Sequence, residues 1–137
     1  LQDHSTSCPS SISQKAALAA LTGEPSSLKK MVDEFKKRRD FLVERLSQIP
    51  KIRFVKPEGA FYFFLDISLT GLSSDSFAEW LLQEEKVALI PGSGFGWDTH
   101  VRLSFALGME ELREGLDRLE RFIRGLSNEV RHGWRTG

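Results

Sequence analysis

The chain has one cysteine in 137 residues, Cys8, so no internal disulfide can form and the expectation is a reducing compartment. It has no excess charge either. Nineteen lysines and arginines balance nineteen aspartates and glutamates, which removes the electrostatic argument for nucleic acid or an anionic membrane as partner. No apolar run approaches the roughly 20 residues that cross a bilayer, and no signal-peptide pattern opens the given sequence. His4, His100 and His132 stand far from cysteines or carboxylates at ligand spacing, so no metal site is expected. There is no internal repeat, no GxxxxGK[ST] and no nucleophile elbow. These absences leave a cytoplasmic chain without membrane, metal or nucleic acid. Its opening, LQDHSTSCPSS, lacks methionine and reads as mid-chain sequence, which predicts a fragment of something larger or a trimmed chain.

What is present is patterned. Ser11-x-x-Gln14 has the spacing of a capping box ahead of an alanine-rich helix, which Thr22-Gly23-Glu24-Pro25 interrupts. From Ser26 to Gln48 the apolar residues Leu28, Met31, Val32, Phe35, Leu42 and Leu46, continued by Ile49, form one stripe on a 3.6-residue period. The KKRRD run at 36–40 has acids interleaved around it and reads as a solvated helix face. Residues 52–55 and 60–67 read as strands joined by Lys56-Pro57-Glu58-Gly59, a hairpin. Ser76-x-x-Glu79 predicts a second capped helix, through Leu82. Val87–Ile90 predicts a short buried strand and Val101–Ala106 another. Leu112, Leu116, Leu119, Ile123 and Leu126 predict a packing helix over 109–126. Helices on one face of a small mixed or antiparallel sheet would bury these stripes, an α/β chain arranged as an α+β-like sandwich. A single domain over residues 1–126 with a disordered tail at 127–137 is the expected organisation.

One stretch bears on chemistry. In IPGSGFGWDTHVRLSFA, residues 90–106, a glycine-rich loop leads into a strand that carries one arginine, Arg102. The three glycines do not match a dinucleotide fingerprint. The third comes one residue early, and no helix follows to hold a pyrophosphate. Strand alternation puts Val101, Leu103 and Phe105 on one face and Arg102, Ser104 and Ala106 on the other. Arg102 is then either a solvent-facing arginine or a planar fork offering two parallel N–H bonds to a carboxylate. Pattern alone leaves both open.

Five pieces together resemble the class I, fold type I aminotransferases that use pyridoxal 5′-phosphate (PLP), the aspartate aminotransferase family. They are HSTSCPSSISQKAALAAL (4–21), MVDEFKKRRDFLVERL (31–46), KPEGAFYFFLDIS (56–68), VALIPGSGFG (87–96) and VRLSFA (101–106). In order and spacing they are similar to that family's C-terminal part, over residues 2 to about 126. The resemblance implies that Arg102 grips the substrate α-carboxylate and that Phe95 lies by the substrate pocket. It implies, too, that Ser5 and Thr6 sit near a neighbouring subunit's cofactor in a homodimer. The substrates implied are an amino acid and a 2-oxo acid, aspartate being the namesake, and the large domain of the same enzyme would be the missing partner. The family's Schiff-base lysine falls upstream of the matched pieces, so the chain carries no catalytic residue of its own and should not transaminate alone. Gly94 and Gly108 replace the usual alanine and serine, and Trp97-Asp98-Thr99-His100 departs from the common approach to the arginine. Those departures leave the substrate open. Two readings from other classes stand beside the enzyme: a non-catalytic regulatory or ligand-binding relative that keeps Arg102 as an anion site, and an interaction module built on the long helix.

Overall fold

The computed structural model describes residues 4, 5 and 7–129, with side chains as far as 126. Two compact units are present, residues 1–34 and 35–137. The first holds helix α1 (Ser11–Thr22) and the first part of α2 (Ser26–Leu46). None of the α1 residues is buried. The helix starts because Ser10 is still extended, and its Oγ accepts from the Ser13 N–H at 3.2 Å. The cap therefore falls one residue before the expected Ser11. Gln14 does not reach back to a serine N–H; its amide donates to the Pro9 carbonyl at 2.9 Å.

The second unit takes the rest of α2 and adds strands β1 (Arg53–Phe54), β2 (Tyr62–Asp66), β3 (Ile90–Pro91) and β4 (His100–Ser104). Helices α3 (Ser74–Glu85) and α4 (Met109–Glu129) complete it. All pairings are antiparallel and the order is β1-β2-β4-β3. The expected hairpin is β1–β2, with Arg53 opposite Asp66. β2 and β4 pair over five residues, Tyr62 with Ser104 through Asp66 with His100.

Period-2 alternation sorts the two faces. Phe63, Leu65, Val101, Leu103 and Phe105 point inward and are 7 % exposed or less. They meet Phe77 and Leu81 of α3, Leu112, Leu116, Leu119, Phe122 and Ile123 of α4, and Leu42 and Leu46 of α2 in one cluster. Each such side chain contributes about 1.5–3 kcal/mol when fully buried. Edge-on ring contacts join Phe63 to Phe105 within the sheet layer at 5.7 Å and Phe77 of α3 to Phe122 of α4 at 5.3 Å. Arg45 of α2 bridges to Asp117 and Glu120 of α4, and Arg118 of α4 donates to the Glu85 carbonyl that ends α3. In the 36–40 run, Asp40 pairs with Arg39 and Lys56, each at 3.0 Å.

Three expectations are corrected. Residues 87–90 are no buried strand. β3 is the two-residue pair Ile90–Pro91 at the sheet edge, where proline's missing N–H costs no ladder bond, and Ile90 is 44 % exposed. α3 begins earlier than the Ser76 box implies. Ser73 is the last extended residue, and its Oγ accepts from the Ser76 N–H at 3.2 Å, so Ser76 is donor where the box made it cap. Third, the α2 stripe is not continuous: Leu42 and Leu46 are buried, but Leu28, Met31 and Val32 are more than half exposed. α4 runs to Glu129, and the rest of the tail lies outside the described residues.

Candidate carboxylate site

Arg102 sits at the centre of β4, paired with Phe64 of β2 on one side and Ile90 of β3 on the other. Its neighbours Val101 and Leu103 are anchored in the core, so the strand cannot rotate to bury it, and Arg102 is delivered to the open face half-buried. Two aromatic rings hold the guanidinium. Its carbon lies 5.4 Å from the centroid of Tyr62, diagonal to it on β2, and 5.4 Å from that of Phe95. Such contacts are worth about 0.5–1 kcal/mol near the surface and orient a planar cation without using its N–H groups. Among the described residues no carboxylate pairs with Arg102, whereas Arg39, Arg45, Arg53, Arg118, Arg121 and Arg124 are all paired.

Phe95 reaches Arg102 from the glycine loop. Residues Ser93–Phe95 make one 3₁₀ turn, closed by Phe95 N–H to the Gly92 carbonyl at 2.8 Å and Gly96 N–H to the Ser93 carbonyl at 3.0 Å. Gly92 is required there by space. A Cβ on it would stand 2.2 Å from the Trp97 carbonyl oxygen and 2.4 Å from that of His100. Gly94 is under no such constraint, and a Cβ there would meet nothing within 4 Å.

The loop is tied to the N-terminus of α3 through Ser74, which is fully buried. Ser74 Oγ donates to Asp98 Oδ1 at 2.9 Å and accepts from the Ser93 N–H at 3.1 Å. The Ser74 N–H points at Asp98 as well, 3.0 Å from Oδ1 and 2.7 Å from the backbone carbonyl. A carboxylate at the first turn of a helix also complements the helix dipole.

Beyond Phe64 the same face carries a row across three strands, Arg53–Asp66–His100. Arg53 pairs with Asp66 at 2.8 Å, and the His100 ring stacks on Phe64 at 4.8 Å and meets Trp97 edge-on at 5.0 Å. The Ser68 hydroxyl beside Asp66 holds its carboxyl below the usual range. The Ser68 N–H and the charges of Arg53 and His100 reinforce this against the opposing effect of burial.

The structure thus brings Arg102 and Phe95 together. Ser5 is exposed and lies in the first unit, and Thr6 and His132 lie outside the described residues. Tyr62 and Ser74 were not singled out by sequence, and Asp98 stood out only within Trp97-Asp98-Thr99-His100, as a departure from the family, with no role attached. Alternation does place Tyr62 on the Phe64 face, but only the β2–β4 register brings it to Arg102. Nothing local links Ser74 to Asp98, which are 24 residues apart. Among the described residues no three His, Cys, Asp or Glu side chains gather as a metal would need.

Pyridoxal phosphate needs a lysine amine, and none lies on any of the four strands, so the strands themselves offer no amine to bond the cofactor beside Arg102.

The chain is similar to known proteins. The chain is 47 % identical over 123 residues to an aspartate aminotransferase of Thermotoga maritima, covering 90 % of this chain and 31 % of that protein. It is 43 % identical over 128 residues to an aspartate aminotransferase of Bacillus subtilis, covering 90 % of this chain and 33 % of the relative. Among solved structures, the Thermotoga maritima aspartate aminotransferase superposes with a TM-score of 0.80 over 90 % of this chain and 31 % of that one. An aromatic aminotransferase from Pyrococcus horikoshii, 39 % identical, superposes at 0.82 over 91 % of this chain and 35 % of that one. The chain therefore spans about a third of the length of the relatives it matches. Enzymes of this family are PLP-dependent. The model of the aminotransferase class I and II family matches residues 1–119, and the chain belongs to that family.

Proposed function

We propose that this chain is the C-terminal, carboxylate-gripping part of a PLP-dependent aminotransferase that moves an amino group between an amino acid and a 2-oxo acid. The observation that carries the reading is Arg102. It is fixed on a rigid strand between two rings, and no carboxylate among the described residues pairs with it. A planar fork in that state accepts one carboxylate bidentately, and holding the α-carboxylate fixes how the Cα bonds are oriented. Phe95 closes one side of the fork and so borders the bound acid.

Family membership supports the rest of the reading, and no lysine lies on the four strands. The cofactor amine and most phosphate ligands would come from the two-thirds of the enzyme outside this chain. Ser5 and Thr6 would approach a neighbouring subunit's cofactor in a homodimer. The substrates are an amino acid, aspartate being one candidate, and a 2-oxo acid. Residues 1–126 would act as one domain of a cytoplasmic enzyme, with 127–137 as its tail, and the chain alone would turn over nothing.

The test is carboxylate binding by the 137-residue chain, read from the Arg102 Nε–H signal in a ¹⁵N NMR titration with acetate. The reading expects a saturable shift at Arg102, absent at Arg53 and lost in Arg102→Ala. In the full enzyme Arg102→Ala should cost on the order of 2–5 kcal/mol in kcat/KM. No shift at Arg102, or equal shifts at all arginines, would make it a surface arginine.

A further inference from the structure

The Arg102 fork is useful only if it is held, and one of its two rings comes from a loop. That loop is secured by polar bonds. Ser74 is fully buried, an unusual place for a hydroxyl unless it is bonded on both sides, as it is here. Its partners are Asp98 at one end of the loop and Ser93 at the other, two residues before Phe95. The 3₁₀ turn between them is closed by its own backbone bonds, so pinning Ser93 and Asp98 places the Phe95 ring.

We propose that Ser74 and Asp98 are positioning residues for the carboxylate clamp, pinning the 92–98 loop to the start of α3 so that Phe95 is held against Arg102. The proposal rests on the reading of Arg102 as a carboxylate site. Neither residue touches the guanidinium; both act through Phe95. Asp98 needs only an acceptor at Oδ1, because Ser74 offers it two donors, its Oγ and its N–H. Asparagine can supply that acceptor, so the carboxylate charge is not what positions the loop.

The experiment uses the 137-residue chain and four variants, Ser74→Ala, Asp98→Ala, Asp98→Asn and Arg102→Ala. Three quantities are read from the unaltered chain and from the Ser74 and Asp98 variants: the ring-current shift of Phe95 on the Arg102 side chain, the acetate affinity at Arg102 Nε–H, and the urea midpoint. Arg102→Ala identifies the Arg102 Nε–H signal by its loss. The bond from the Ser74 N–H to the Asp98 carbonyl survives both changes, so Asp98→Ala and Ser74→Ala are expected to reduce the ring-current shift without abolishing it. Their acetate affinity should fall roughly threefold to tenfold, the size of one net hydrogen bond. Asp98→Asn should retain both. A merely structural role predicts something else: lower urea midpoints with the ring-current shift and affinity kept, which would overturn the proposal. Failure of Asp98→Asn to rescue either readout would overturn it too. If acetate moves no arginine signal even in the unaltered chain, the carboxylate reading fails. The ring-current shift then still decides whether Ser74 and Asp98 place Phe95.

Discussion

At the scale of single residues, the loop before Arg102 contains two glycines with opposite requirements. Gly92 is closed in by the carbonyls of Trp97 and His100, and neither oxygen is the free end of a flexible side chain. Gly92→Ala must therefore move backbone, and the expected cost is about 1–3 kcal/mol, as for other forced overpacking. Gly94 faces open space and is not held at positive φ. Gly94→Ala should leave the folded state untouched while restricting the unfolded chain, a gain of about 0.4–1 kcal/mol. Urea midpoints of the two variants, measured side by side, should fall on opposite sides of the parent chain. If both fell below it, the loop would not have the conformation described. Residue pattern alone does not separate the two, because the approaching carbonyls come from the return of the loop on itself. Only the resemblance does, since the family usually has alanine at 94.

At the scale of elements, what could be read from sequence is what depends on period. The α4 stripe is buried as its spacing implies, and the Val101–Phe105 alternation sends Arg102 to the open face. Helix starts were legible only to within a few residues, because Ser10, Ser11, Ser73 and Ser76 are chemically equivalent caps. Which serine is used depends on where the chain leaves extended geometry. Cross-strand register was not legible at all, and it creates the Arg53–Asp66–His100 row. That row has a measurable sign. The Asp66 carboxyl, held low chiefly by the Ser68 hydroxyl, binds protons less readily folded than unfolded, where its ordinary value is 3.8. Its contribution is therefore fully present above that value and is lost as pH falls through the lower folded pKa. Asp66→Asn should be less stable than the parent chain at pH 6, and the gap should narrow as pH falls from 4 toward 2. Urea midpoints across that range check it. A gap that widened with acid would reverse the sign assigned to Asp66.

At the scale of the whole molecule, the two units differ in how they are held. The second unit closes a core of rings and aliphatic side chains between sheet and helices. The first has a twelve-residue helix with no buried residue, and its Ile12, Leu18 and Leu21 are 55–86 % exposed. Helices of that length are marginal in water without a packed face. A chain spanning about a third of its relatives thus has a part with its own core and a part whose apolar side chains are exposed. The sequence could not separate the two. Alanine and leucine give α1 the propensity of a stable helix, and the α2 stripe looks continuous through Leu28, Met31 and Val32. Burial depends on what faces a stripe, not on its period. Hydrogen exchange should separate the units directly. Amides of residues 15–22 should exchange on the order of 10²-fold or more faster than those of Phe63–Leu65 and Val101–Leu103, since local opening there exposes no core. Equal protection in both units at low chain concentration would mean that α1 is held as firmly as the sheet. Protection that appears only as concentration rises would mean that copies of the chain cover its stripe.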